Sequence, residues 1–281
     1  MLGVHSNSAG GLAKTALAYV DQVGAGSVQV YIGNARSWRQ SAGDPVQDGA
    51  FLAGCAERTI PSFIHAPLLV NLGSPTPATV TQSEAAISHA LIRGQAIGAR
   101  GVVFHAGSSV DPSHTDQAWK QVREALLPLL DRSLAAGWPR LLVEPSAGGG
   151  RSLAARVEHL AEYFAAVDHH PALGVCFDTC HAWAAGHDLA TPGGMTATLD
   201  ALVTAVGPGR LDLVHANDSK DPLGSTRDRH EAIGQGMIGL EPFRELLAHP
   251  AAAGLPVIVE TPAESHADDL AALRSVSPHL A

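Results

Sequence analysis

The feature that most constrains this chain is a series of eight short apolar runs, most of which end on side chains able to bind a metal. These runs alternate with longer stretches rich in Ala and Leu, a pattern typical of βαβ units and a parallel sheet. The predicted strands are Leu2–His5, Val28–Ile32, Phe63–His65, Val102–His105, Leu141–Glu144, Val175–Asp178, Leu211–His215 and Val257–Glu260. Six of them finish on His65, His105, Glu144, Asp178, His215 and Glu260.

Helical sequence fills the spaces between strands and no Pro/Ser-rich linker divides the chain. The predicted helices include Gln82–Ile97, Asp116–Ala136, Leu153–Val167 and Met195–Val206. Eight strand and helix pairs in about 250 residues fit a (β/α)₈ barrel, and a doubly wound open sheet is the alternative. A barrel brings every carboxyl end to one mouth, whereas an open sheet uses one switch point. We therefore predict a single TIM-barrel domain over residues 1–281, with a metal site at the C-terminal mouth of the strands.

Side-chain alternation along the strands makes a second prediction. If the six strand-end residues point into the barrel, so do the residues two positions earlier. These are Phe63, Val103, Leu142, Cys176, Leu213 and Ile258. All are apolar or a small thiol, so we expect an apolar layer beneath the charged mouth, with Cys176 as core filler.

Composition excludes several classes of protein. The formal charge of −9, from 18 basic and 27 acidic residues, argues against a polybasic nucleic-acid binder but leaves room for a focused positive site. Three cysteines give no paired framework and fit a reducing compartment. The sequence shows neither a secretory signal pattern nor a run of 18 apolar residues. We expect a cytoplasmic protein with no membrane partner.

Further candidate ligands follow two of the strands. His181 comes three residues after Asp178, and Asp228 and His230 are two apart, so an extended backbone would aim both the same way. The alternative is that the charged run 227–230 is a solvated loop. Three carboxylates crowded at one mouth would repel one another without cations between them, which favours more than one metal.

These motifs resemble the endonuclease IV family, metal-dependent apurinic/apyrimidinic endonucleases built on a TIM barrel. The resemblance runs almost end to end. It rests on FDTCH at 177–181, HANDSKD at 215–221 and RDRHEAIGQGMIG at 227–239, supported by VHSNSAGGL at 4–12, HAPLLVNLGSP at 65–75 and FHAGS at 104–108. It implies three Zn²⁺ ions, with Mn²⁺ possible at one or more sites. The implied ligand sets are His65, His105 and Glu144; Glu144, Asp178, His215 and Glu260; and His181, Asp228 and His230.

The resemblance also implies an activity. It implies hydrolysis of the phosphodiester 5′ to an abasic site in double-stranded DNA, a step of base excision repair that leaves a 3′-hydroxyl. Glu144 and Glu260 are the expected catalytic carboxylates, and the expected enzyme is a monomer. Three Zn²⁺ would change the formal charge from −9 to −3.

The sequence departs from the family where DNA is expected to bind. Leu68 stands where the family usually has a Tyr that enters the duplex, and Pro145 follows the bridging glutamate in EPSAG, where relatives read ENTAG. The segment YIGNARSWR at 31–39 resembles the DNA-penetrating loop and gives Arg36 and Trp38 as candidate DNA contacts. The alternatives are that Leu68 packs as core under the mouth and that Trp38 packs within an exposed loop.

Two other functions compete. A xylose-isomerase-like sugar isomerase or epimerase also holds one or two divalent metals at the strand ends of this barrel, but it leaves His181, Asp228 and His230 unexplained. A metal-binding or nucleic-acid-binding protein without turnover is the second alternative, supported only by Leu68 and Pro145. An abasic duplex and a panel of ketoses would separate the three.

Overall fold

Runs rich in Val, Ile, Leu and Phe form the strands because such side chains pack well in a sheet that is buried on both faces. The computed structural model describes residues 1–277, so the last four positions of the predicted domain lie outside the described residues. The barrel strands are β1 (Leu2–Ser6), β2 (Val28–Val30), β3 (Ser62–His65), β4 (Gly101–His105), β5 (Arg140–Glu144), β6 (Leu173–Asp178), β7 (Leu211–His215) and β10 (Val257–Val259). A separate hairpin pairs β8 (Asp218–Ser219) with β9 (His230–Glu231).

The eight barrel strands are all parallel and close on themselves. Each pairs with its neighbours in chain order, with β10 joining β7 to β1. The predicted (β/α)₈ barrel is therefore confirmed. All the carboxyl ends lie at one mouth, as this topology requires.

Nine α-helices are assigned within residues 1–277. They are α1 (Ala18–Val23), α2 (Pro45–Arg58), α3 (Pro77–Ile97), α4 (Thr115–Ala136), α5 (Leu160–Ala166), α6 (Thr179–Ala184), α7 (Gly194–Val206), α8 (Glu241–Ala248) and α9 (His266–Val276). A wide π-helical turn, Leu12–Leu17, leads into α1. The start of α2 is specified locally, because Pro45 stands at its first position and the Asp44 carboxylate accepts hydrogen bonds from the backbone at Val46 and Gln47. Within the described residues, no helix has the length and apolar character to cross a membrane.

The barrel interior contains the apolar layer that the alternation predicts. One buried cluster consists of Phe63, Val103, Leu142, Cys176, Leu213 and Ile258. The larger core lies between the outer face of the strands and the helices. Because the inner layer closes the barrel below the mouth, it separates the polar groups at the mouth from those at the amino ends of the strands, such as the Arg140–Asp212 ion pair.

Several predicted boundaries are wrong. The helix predicted from Gln82 begins at Pro77, because proline suits the first position of a helix. Residues 153–156 are not helical, because Leu153 N–H donates to the Gly107 carbonyl and the Ala154 carbonyl accepts from Ser146; a 3₁₀ turn, Val157–His159, then leads into α5. β2 ends at Val30 rather than Ile32, where its register with β1 and β3 ends. The last barrel strand ends before Glu260, whose N–H donates to a side chain, Asn217 Oδ1, at 2.8 Å.

Candidate metal centre

The structure brings all nine predicted ligands to the mouth of the barrel. Five of them are the last residues of β3 to β7: His65, His105, Glu144, Asp178 and His215. Glu260 is the first residue after β10, His181 lies on α6, and His230 lies on β9. Asp228 precedes β9 by two residues, in the loop between the two strands of the hairpin.

Glu144 lies at the centre of the cluster and is fully buried. Its Oε2 lies 3.2 Å from His65 Nε2 and 3.5 Å from His105 Nε2. Its Oε1 lies 3.0 Å from His215 Nδ1 and 3.3 Å from His181 Nδ1. The two oxygens thus face different histidines, which is the geometry expected of a carboxylate shared between two ions.

Two groups of donors share Glu144. Ligand atoms of His65, His105 and Glu144 lie within 4.8 Å of one another, and so do those of Glu144, Asp178, His215 and Glu260. Two donors that each lie about 2.1 Å from one ion are at most about 4.2 Å apart. The closest separations, such as 3.2 Å between His215 Nδ1 and Glu260 Oε2, are within that limit. The limit of 4.8 Å exceeds about 4.2 Å by a few tenths of an ångström, so both donor sets fit a divalent ion after small movements of their side chains.

A third group forms where the hairpin approaches α6. Asp228 Oδ1 lies 2.9 Å from His230 Nε2, and its Oδ2 lies 3.3 Å from His181 Nε2. Asp178 Oδ2 lies 3.8 Å from His230 Nε2, so this group adjoins the second. Nitrogen and carboxylate donors of this kind suit Zn²⁺ or Mn²⁺.

Backbone carbonyls orient three of the imidazoles. His65 Nδ1 lies 2.6 Å from the Ala66 carbonyl, His181 Nδ1 lies 3.0 Å from that of Pro145, and His230 Nδ1 lies 3.2 Å from that of Glu260. A proton on Nδ1 that is donated to a carbonyl leaves the Nε2 lone pair free to face the cluster, as metal-binding histidines require. Pro145 lacks an N–H but keeps the carbonyl that this arrangement uses.

Gln29 and Asn217 hold the ligands of the second group in place, and neither residue was predicted from the sequence. Gln29 is fully buried; its Nε2 donates to Glu260 Oε1 at 2.7 Å and its Oε1 accepts from His215 Nε2 at 3.0 Å. Asn217 Nδ2 donates to Asp178 Oδ2 at 2.7 Å. For Gln29, one sequence feature could have indicated this role: a polar amide stands on an otherwise apolar strand, in the sequence VQV at 28–30.

The pKa shifts in the metal-free protein show that the clustered carboxylates require positive charge beside them. Burial favours the neutral acid, yet His215 and other imidazoles hold the pKa of Glu144 well below its usual range. Burial also disfavours imidazolium, yet nearby carboxylates raise the pKa values of His215 and His230 to about 9. His105, farther from the carboxylates, has its pKa lowered to about 4 by burial. Glu144 therefore stays ionised, whereas burial raises the pKa of Asp178, so the cluster needs either protonated histidines or cations beside its carboxylates.

A cavity of about 300 Å³ opens above the three groups. It is lined by His5, Tyr31, His65, Leu68, His105, His181, Asp228, His230, Glu260 and Thr261. This volume is at the lower end of the range for ligand sites. A molecule that enters it meets nitrogen and carboxylate donors on its floor and the Leu68 side chain on its wall.

The three predicted DNA contacts lie on two neighbouring loops. Leu68 is 39% exposed, so it does not pack as core under the mouth, and its N–H donates to the Ala35 carbonyl at 2.9 Å. Arg36 is exposed beside that bond. Trp38 is half-buried and packs against the core, which leaves less of its ring free.

Comparisons with known proteins place this geometry in context. A family described as xylose isomerase-like TIM barrel matches residues 17–276. The chain is 51% identical to a probable endonuclease 4 of Streptomyces coelicolor, over 98% of this chain and 94% of that protein. It is similar to the crystal structure of endonuclease IV from Thermus thermophilus, with 36% identity, a TM-score of 0.83 and 98% of each chain covered. A D-tagatose 3-epimerase-like protein shares the fold alone, at 16% identity and a TM-score of 0.71, over 98% of this chain and 96% of that one.

Proposed function

This chain belongs to the endonuclease IV family, and from that premise we propose that it is a metal-dependent endonuclease that hydrolyses the phosphodiester 5′ to abasic sites in DNA. The product would carry a 3′-hydroxyl, as a step of base excision repair requires. The observation that carries the proposal is the third donor group, in which Asp228 lies 3.3 Å from His181 Nε2 and 2.9 Å from His230 Nε2. This group stands beside the two groups that share Glu144. We place the enzyme in the cytoplasm as a monomer.

Three divalent ions, Zn²⁺ or in part Mn²⁺, would occupy the three groups. His65, His105 and Glu144 would hold the first, and Glu144, Asp178, His215 and Glu260 the second. His181, Asp228 and His230 would hold the third. When bound, such ions supply positive charge for phosphate oxygens and make water acidic enough to act as a nucleophile at neutral pH.

The two catalytic carboxylates have different surroundings. Glu144 is inaccessible, so its role is to share its charge between two groups of donors. Glu260 borders the cavity, and its Oε1 is held by Gln29 and by His5 Nδ1 at 2.7 Å. Its Oε2, which lies 3.2 Å from His215 Nδ1, would bind the second ion and accept a hydrogen bond from the attacking water. The imidazole of His215 keeps the pKa of Glu260 below its usual range despite burial, so this carboxylate is ionised at neutral pH.

The site favours DNA that lacks a base. The donors lie on the floor of the barrel mouth, so a scissile phosphate must leave the duplex surface to reach them. Extrusion costs least for a nucleotide that is already unstacked or damaged. Arg36, Trp38 and Leu68 are the proposed DNA contacts, with Leu68 as an apolar wedge that replaces an aromatic ring.

The test is incision of a duplex with one abasic site, compared with an identical duplex that has no lesion. We expect one cut, on the 5′ side, with a 3′ end that a DNA polymerase can extend. Glu260→Gln, purified in parallel, controls for contaminating nucleases. Turnover of a ketose without incision would instead favour the isomerase or epimerase, and metal binding with neither activity would favour a protein without turnover.

A further inference from the structure

Asp218 makes an unusual set of hydrogen bonds beside the third donor group. Its side chain is fully buried, and its two carboxylate oxygens accept five hydrogen bonds from the backbone, at 2.8 to 3.2 Å. The donors are the N–H groups of Ser219, Gly234, Gly236, Ile238 and Gly239. Four of the five belong to the glycine-rich segment 234–239, which has no role in the chemistry described above.

The glycines allow the backbone of this segment to curve closely around the Asp218 carboxylate. Gly234 and Gly239 both have φ of +78°, a conformation that other residues rarely adopt. A Cβ at Gly236 would lie 2.5 Å from Asp218 Oδ1 and 2.5 Å from the Ser219 carbonyl. Converging N–H groups in a glycine-rich loop usually bind a phosphate or another anion. Here a carboxylate of the same chain fills that position, so the loop is an internal anchor.

The anchor is continuous with the hairpin that carries two ligands of the third group. Ser219 pairs with His230, and Asp218 pairs with Glu231. The Ser219 carbonyl accepts from Met237 at 2.8 Å, which joins the same strand to the glycine-rich segment. Asp218 therefore joins β8, the strand opposite His230, to the glycine-rich segment 234–239 that follows β9.

The outer part of the hairpin has its own support. The buried Asp221 carboxylate accepts a hydrogen bond from Arg229 Nε at 2.6 Å and lies 3.6 Å from Arg227 Nη1. The two arginines thus face Asp221, while Asp228 and His230, which alternate with them, face His181. Asp221 supports the outer end of the hairpin and Asp218 supports its base. Of the two, only Asp218 lies on the strand that pairs with β9.

We propose that Asp218 is a positioning residue for the third metal ion: it fixes the base of the hairpin so that Asp228 and His230 face His181. This rests on the proposed function, because it presumes that this group holds an ion. The other two groups lie on barrel strands and on Glu260, none of which hydrogen-bonds to the Asp218 carboxylate. Loss of a group that hydrogen-bonds to a metal ligand typically weakens metal binding about 10- to 100-fold. Asp218 acts one step further out, through the backbone of the hairpin, and we expect an effect of similar size on one of the three ions.

The experiment counts zinc per chain, by elemental analysis, after dialysis against a graded series of chelator concentrations. Asp218→Asn keeps the size of the side chain but turns an NH₂ group toward backbone donors. Asp48→Asn is the matched control, since Asp48 is also a buried carboxylate, bonded to Arg93 at 2.7 Å. We expect three zinc ions in wild type and in Asp48→Asn. In Asp218→Asn we expect two, with a third that binds about 10- to 100-fold more weakly and returns in excess zinc.

Gly236→Ala provides a second perturbation that leaves every charge in place. Its methyl group pushes against Asp218 Oδ1, so we expect the same selective loss of one ion, and this variant decides the matter if Asp218→Asn does not fold. Thermal melting identifies folded samples. A folded variant that keeps its third zinc with wild-type affinity overturns the positioning role. Fewer than three zinc ions in wild type would instead count against the proposed function.

Discussion

Replacing Gln29 with methionine should weaken metal binding by the second group while the barrel stays folded. Gln29 links two ligands of that group, donating to Glu260 Oε1 and accepting from His215 Nε2, and all three side chains are largely or wholly inaccessible to water. Methionine has a similar volume, so repacking should cost less than about 1.5 kcal/mol. It supplies neither the donor nor a strong acceptor.

The size of the effect follows mainly from the two hydrogen bonds that Gln29 makes with ligands; its 2.9 Å contact with His5 Nδ1 is lost as well. A bond to a charged carboxylate contributes about 1.5 to 3 kcal/mol, and a buried imidazole N–H left without an acceptor costs about 1 to 3 kcal/mol. Together they destabilise the loaded protein by about 2.5 to 6 kcal/mol. Part of this cost, about 1.4 to 2.8 kcal/mol, corresponds to the 10- to 100-fold loss of metal affinity typical of such partners. The remainder should lower the free energy of unfolding of the metal-free protein.

The assay is competition for zinc against a chelating indicator, with thermal melts of both metal-free and loaded protein. Gln121→Met is the control, because Gln121 is half-buried on α4 and hydrogen-bonds only to His114 and the Ser74 carbonyl among the described residues. We expect its zinc affinity to match that of wild type. If Gln29→Met also binds zinc within twofold of wild type, then Gln29 does not orient the ligands and the reasoning is refuted.

Three further predictions concern catalysis, pH and DNA. Glu260→Gln should fold normally yet lose about 10²- to 10³-fold in incision rate, since it removes a charge at the reacting centre; an unchanged rate in single-turnover assays would exclude the catalytic role. In the metal-free protein, pKa values near 9 for His215 and His230 add stability that is complete below about pH 6.5 and is lost as the pH rises towards 9. Melting temperature should therefore fall over this window without zinc, whereas zinc affinity should rise as protons cease to compete; melting curves that rise without zinc would contradict this. Leu68→Tyr should tighten binding to abasic duplex by up to about 1 to 3 kcal/mol of base stacking, and Arg36→Ala should weaken it, with little change in the chemical step; binding isotherms for both variants that match wild type would rule out these contacts.

The sequence contains enough information to predict the barrel and its mouth because both depend on local periodicity. Strand-end residues such as His65 and Glu144 and the apolar positions two residues earlier follow from side-chain alternation alone. Once a parallel barrel is inferred, topology brings these residues together whatever the details of the loops. Six of the nine candidate ligands could thus be named before their distances were known. The other three, His181, Asp228 and His230, were named from their spacing and from the resemblance to endonuclease IV.

The partners of those ligands could not be predicted, because hydrogen bonding depends on neighbours distant in sequence. Gln29 meets His215 across 186 positions, and nothing in the run VQV specifies that contact. Asp218 finds its donors in a loop whose path is set by glycines. The same limit explains the wrong helix prediction at residues 153–156. The composition there is typical of a helix, but backbone hydrogen bonds to neighbouring loops hold the segment in a non-helical conformation.

The most direct test of the trinuclear site is anomalous diffraction at the zinc edge from crystals grown with zinc. We predict three anomalous peaks at the mouth of the barrel, two of them on either side of the Glu144 carboxylate and the third among His181, Asp228 and His230. A single peak, with His181, Asp228 and His230 bound to no metal, would contradict the account and would favour a one-metal isomerase on the same barrel.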